Sequence, residues 1–279
     1  MKRTLLTAGA VLVFVILAGA TYQGVATALE RRQVPHPGRL LDVGGHQLHL
    51  HCHGSGSPIV VLEAPAGGMS AAWGWVQTRV GKTTRVCSYD RSGLGWSEAG
   101  DRPYEPLVVA EQLRALLQKA NERAPYVLAG QELGAALATL YASQFGDEVA
   151  ALVLVDERPS GDVTERRARA TRLVDASPWL ARAGLLRVTR VFSRRSAGLP
   201  GESAGALGAF LNRPDHLTRT SRELARWDEA VNAAAGAPLR QGLRVVHVDT
   251  GLREFSFLTN PAQADVVSAA IEQAVAGSR

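Results

Sequence analysis

An α/β fold, with a mostly parallel sheet covered by helices on both faces, is the class this chain predicts. Three observations carry it. Short strand-like runs are apolar throughout, helical stretches alternate with them, and glycine-bearing turns separate the two. A chain of 279 residues with 46% hydrophobic and 20% charged content can bury one substantial core, so one globular domain is expected behind its N-terminus.

The elements follow in chain order. Lys2 and Arg3 precede an uncharged run over residues 4–29 containing VLVFVIL, long enough to cross a bilayer. An uncleaved signal anchor over residues 1–30 is expected; cleavage after Ala18-Gly19-Ala20, releasing a secreted domain, is the other reading. Lys2 and Arg3 favour an exported (periplasmic or extracellular) domain, and Arg31 and Arg32 oppose that orientation. Residues 31–38, with Pro35 and Pro37, read as a linker. RLLDV, Gly44-Gly45 and HQLHLHC then read as a β-hairpin that opens the domain at residue 39. Strands are expected at 58–64, 84–90, 124–130 and 149–156, and helices at 70–80, 105–120 and 132–145. An arginine- and alanine-rich helical stretch, about residues 158–238, looks inserted. A strand at 243–249 and an amphipathic helix at 261–275 close the chain.

Several local motifs give this order of elements a relative. Tyr89-Asp90-Arg91-Ser92-Gly93-Leu94-Gly95-Trp96-Ser97 resembles the D-R-x-G-x-G-x-S loop of α/β hydrolases, and VVLEAPAGG resembles their strand and oxyanion loop. VLAGQELGAAL is similar to their nucleophile elbow, with Gly130 and Gly134 where G-x-S-x-G has its glycines. The elbow residue sits in a strained turn, and small neighbours let helix and strand approach closely. The resemblance, over residues 39–276, implies an α/β-hydrolase sheet with a helical lid insertion. It places oxyanion donors at the backbone of Leu133 and Ala66, although Pro65 stands where a glycine often sits. One strand follows the insertion where the fold usually has two, so one C-terminal core strand is expected to be missing.

The departures concern chemistry. The elbow residue is Glu132, not serine, and no histidine follows position 247, although the family's general base lies after the last strand. Haloalkane dehalogenases and epoxide hydrolases of this family attack carbon with a carboxylate, and a helix start favours the ionised form of Glu132. Yet Leu133 replaces the dehalogenase tryptophan, and all five tyrosines lie outside residues 157–242, where epoxide hydrolases keep their proton donors. The remaining catalytic candidates are His247 within the last strand and Asp156 and Asp249 at strand ends. Two uses of Glu132 stay open: a structural plug of the oxyanion site, for which Arg158 or Arg253 would be a partner, and a nucleophile or base in an active hydrolase. The double loss of serine and histidine favours a degenerate enzyme that binds a small apolar molecule or a protein partner.

Residues 160–195 carry nine arginines against Asp162, Glu165 and Asp175, a local net charge of +6 beside a chain total of +5. This basic lid is either drawn to anionic lipid, at about 1 kcal/mol per well-placed cation, or a solvated face. No nucleic-acid motif accompanies it. Cys52 and Cys87 fall on neighbouring strands and are expected as buried free thiols, a disulfide being the alternative after export. His49, His51 and His53 alternate on one face of the hairpin near His46; at a sheet edge they are expected to face solvent, so neither a metal nor a cofactor is expected. Trp73, Trp75 and Trp96 lie near the expected pocket and suit packing as well as ligand stacking.

Overall fold

The computed structural model describes residues 2–157, 165–252 and 256–278, with the side chains of Leu12 and of residues 165–171 outside the description. Among the described residues seven strands form one sheet: β1 (Arg39–Asp42), β2 (Gln47–His53), β3 (Ile59–Glu63), β4 (Val86–Tyr89), β5 (Tyr126–Gln131), β6 (Val149–Val155) and β7 (Arg244–Val248). Their order is β1-β2-β4-β3-β5-β6-β7. β1, β2 and β4 pair antiparallel, and every later pairing is parallel.

The central strands read as uninterrupted apolar runs because both of their faces are covered. Along β3, Ile59 and Val61 pack beneath α3 (Pro106–Ala120) and α4 (Leu133–Gln144), with Leu113, Leu117, Ala138 and Tyr141. Val60 and Leu62 pack on the other face beneath α2 (Gly74–Val80) and α10 (Pro261–Ala276), with Val76, Val80, Val267 and Ile271. Each such aliphatic side chain contributes about 1.5–3 kcal/mol by leaving water, so the two layers fix the register. A one-residue slip would exchange them.

Among the described residues between β6 and β7 lie five α-helices: α5 (Glu165–Arg182), α6 (Leu185–Thr189), α7 (Gly201–Phe210), α8 (Pro214–Ala225) and α9 (Trp227–Ala235). Among the described residues one strand, β7, follows them. The first helix, α1 (Lys2–Gln33), is long and apolar enough to cross a membrane by length and composition. It runs to Gln33, past the expected boundary, because neither glycine nor proline occurs between Gly24 and Pro35. From Lys2 to Ala18 its described side chains are exposed. Beyond them, Gln23 is buried, donating to the Asn212 carbonyl at 2.9 Å and accepting from Arg187 at 3.0 Å, and Glu30 pairs with Arg187.

Two expectations about the hairpin are corrected. Cys52 and Cys87 are joined in a disulfide, since the β2–β4 register sets them directly opposite one another. Their sulfurs also lie near Glu122, but bonded sulfurs offer no thiolate to a metal, and the Glu122 carboxylate is held by Arg85 through two 2.6 Å bonds. The second correction concerns His49, which does not face solvent. β1 forms the edge, and His49 on β2 is fully buried; only His53 of the three alternating histidines is exposed.

Candidate functional site

The centre of the site is the turn from β5 into α4. Glu132 there has φ 51° and ψ −112° and is only 3% exposed. A side-chain-bearing residue in this conformation costs about 1–3 kcal/mol and persists only when its surroundings dictate it. They do: its N–H donates to the Val155 carbonyl at 2.9 Å, and its carbonyl accepts from Ala135 N–H at 3.0 Å. The flanking glycines are sterically required. A Cβ on Gly130 would lie 2.2 Å from the Gly134 carbonyl oxygen, and one on Gly134 would lie 2.3 Å from that of Glu63. On Arg195, beside α7, burial disfavours the charge and the Glu132 carboxylate supports it, the first effect prevailing.

The oxyanion loop, residues 64–68, is pinned by buried charge. Arg91 donates to the carbonyls of Ala64 (2.6 Å) and Pro65 (2.9 Å), to Glu63 Oε1 (2.8 Å), and through Nε and Nη2 to both oxygens of Glu223 (2.7 and 2.9 Å). Tyr89 donates its hydroxyl to the other Glu63 oxygen. Two carboxylates thus share one guanidinium, and they titrate apart. Burial raises the Glu63 pKa beyond what Arg91 and Tyr89 offset, whereas at Glu223 burial is outweighed by Arg91, Arg219 and the Gly67 N–H together, and the pKa is lowered.

Glu223 belongs to α8, so this network ties the insertion to the core. Gly67 N–H donates to Glu223 at 3.0 Å. His216, also on α8 and buried, donates from Nε2 to the Gly67 carbonyl at 3.0 Å and accepts the Gly95 N–H at Nδ1, 3.1 Å. Both ring nitrogens are used by a neutral imidazole, consistent with a pKa pushed below its usual value by burial. The side chains of Ala66 and Leu133, the expected oxyanion pair, share one packed cluster with Leu224 and Trp227.

A second buried group contains a serine, a histidine and an aspartate that sequence reasoning did not bring together. His49 Nδ1 lies 3.0 Å from Asp90 Oδ2 and 3.4 Å from Ser70 Oγ, while its Nε2 accepts the Gly38 N–H at 3.2 Å. In a proton relay the histidine meets acid and serine through different nitrogens; here both face Nδ1, so the arrangement is structural. Asp90 also accepts the N–H groups of Ser70 (2.6 Å) and Trp96 (2.9 Å), and these with His49 lower its pKa against the opposing effect of burial. The histidine alternation was the one signal available, and it gave no hint of Asp90. Trp96 packs on His49 and Phe210, Trp75 donates to the Gly198 carbonyl, and Trp73 is core.

The other expected site residues lie apart from this centre. Asp156, with φ 50°, accepts the Thr250 N–H (2.8 Å) and hydroxyl (2.7 Å) and so fastens the end of β7. Asp249 is exposed and accepts the Gly251 N–H at 2.9 Å. His247 is a surface residue, its side chain 67% exposed and Nδ1 3.1 Å from Glu157. Arg158 and Arg253 lie outside the described residues.

Comparison with known proteins agrees with this geometry. A sequence model described as the alpha/beta hydrolase fold matches residues 58–233. An uncharacterized vacuolar membrane protein of Saccharomyces cerevisiae is 30% identical over 129 residues, 40% of this chain and 20% of the yeast protein. The uncharacterized protein YbdG of Bacillus subtilis is 26% identical over 121 residues, 43% of this chain and 37% of its own. The chain thus covers well under half the length of these relatives. Among solved structures, a putative epoxide hydrolase from Pseudomonas aeruginosa superposes with TM-score 0.64 at 17% identity, covering 85% of this chain and 96% of that one. A putative ancestral haloalkane dehalogenase gives TM-score 0.62 at 16% identity, covering 86% and 97%.

Proposed function

The chain belongs to the α/β-hydrolase family, and from that premise we propose a membrane-tethered member that has given up the serine mechanism and binds a small apolar molecule or a protein partner. One observation carries this reading: the elbow is built in full around a carboxylate, while the histidine of the last strand points to solvent against Glu157. A serine-type relay needs a hydroxyl at the elbow and a histidine in reach of it; position 132 carries no hydroxyl, and the side chain of His247 is 67% exposed. Further support comes from α1, whose composition suits a bilayer anchor, and from the membrane location in the yeast relative's name. A cavity of about 540 Å³, lined in part by Val34, Pro35, His51, Trp96 and Ala206, is of a size for a small molecule.

The full chain in detergent is expected to leave p-nitrophenyl esters unhydrolysed above the uncatalysed rate. Enzyme-like turnover that disappears in Glu132→Ala would overturn the reading. A second reading, an active hydrolase of esters, epoxides or organic halides using the Glu132 carboxylate, is favoured by the position of Glu132 at the start of α4, where the helix end stabilises negative charge. Its mark would be a covalent ester on Glu132 by mass spectrometry; a rate unchanged in Glu132→Gln eliminates it.

A further inference from the structure

We propose that the α5–α6 hairpin of the insertion dips into the same bilayer that α1 crosses, so that the protein is held by one spanning helix and one interfacial wedge. The inference rests on reading α1 as membrane-spanning. It starts from where α1 first meets the folded part. Gly19 packs against Ala183 and Gly184, the turn between α5 and α6, so closely that a Cβ on Gly19 would lie 2.1 Å from the Ala183 carbonyl oxygen.

Length then decides the depth of that turn. Lys2 and Arg3 mark the far end of the apolar run. Residues 4–18 provide about 15 residues, roughly 22 Å of helix, against a hydrocarbon core of about 30 Å that needs about 20 residues. The near boundary therefore falls around Tyr22 and Gln23, roughly one turn past Gly19. Polarity agrees: Tyr22 is exposed, as in an aromatic interfacial belt, and Gln23 is the first residue of α1 buried in polar contacts with the insertion. The α5–α6 turn consequently lies about 6 Å inside that boundary, within the roughly 5–10 Å depth at which interfacial helices sit.

The side chains around the turn suit that depth. Trp179 is 72% exposed and Val188 71%, and Leu180 and Leu185 are also open to solvent. In water these four side chains stay exposed; in lipid they would be buried. Arg182, which stacks on Trp179, and Arg190 are exposed beside them and would meet anionic headgroups. Nearby Arg187 is excluded from that role because Gln23 and Glu30 occupy it.

The test uses the full chain in proteoliposomes of phosphatidylcholine and phosphatidylglycerol, with and without bromine-labelled acyl chains, comparing wild type with Trp179→Phe. Trp73 and Trp227 are buried in the protein, so about half or more of the bromolipid-dependent quenching of tryptophan emission is expected to vanish in the variant. Quenching should also weaken when phosphatidylglycerol is omitted. Equal quenching in wild type and variant overturns the wedge. So does a Trp179 environment that changes only with protein concentration, which would assign the surface to a second copy of the chain. Alkaline carbonate extraction of the same vesicles separates the two claims: protein released by carbonate refutes the anchor itself, whereas retained protein with an unquenched Trp179 refutes the wedge alone.

Discussion

The two sides of the candidate site have fared differently. On the elbow side, Gly130, Gly134, the positive φ of Glu132 and the Arg91-pinned loop are all in place. On the C-terminal side, where a general base would stand, β7 carries His247 to the surface and Asp156 is spent on holding Thr250. The difference teaches that the elbow is kept by packing. Its glycines are required by backbone contacts of the sheet core whether or not any reaction takes place. A histidine after the last strand has no such second duty, so the fold does not require one.

Three substitutions bear on that contrast. The largest effect is expected from Glu223→Ala, which removes one of the two carboxylates on buried Arg91 and leaves it only Glu63; urea unfolding should show a loss of about 3–5 kcal/mol. A loss below about 1 kcal/mol would mean that the insertion does not support the oxyanion loop. Next is Gly134→Ala, whose added methyl meets the Glu63 carbonyl; overpacking of this kind should cost about 1–3 kcal/mol in the same measurement. A neutral result would remove packing as the reason the elbow persists. Smallest is His247→Ala, on the other side, with stability expected within about 0.5 kcal/mol of wild type. A larger effect would show that the C-terminal side also has a structural claim on its histidine.

Much of this arrangement could be read from residues near one another in sequence. The strand, turn and helix of VLAGQELGAAL and the Asp90-to-Ser97 loop are local signals, and the parallel sheet follows from strands apolar on both faces. What escaped were contacts between distant segments. Arg91 and Glu223 are 132 positions apart, and Gly67 and His216 are 149 apart; no periodicity links such pairs, so the clamp of α8 on the loop was invisible. His49 was misplaced for a related reason. Alternation tells which residues share a face but not what covers that face, and here Ser70, Asp90 and Trp96 cover it. The disulfide depended on a register between β2 and β4 that spacing alone does not fix.

The bonds from Gln23 and Glu30 to the insertion divide α1 into two pieces with separate fates. A protease cutting after Ala20 would release the apolar piece and leave residues 21–33 bound to Arg187 and Asn212. The severed protein would thus retain a short helical splint across α6 and the α7–α8 junction. Shortening the gene to begin at Pro35, a natural choice for obtaining a soluble domain, would remove that splint and leave Arg187, largely shielded from water, without its carboxylate. The start point for soluble expression should therefore fall before Gln23, not after Val34.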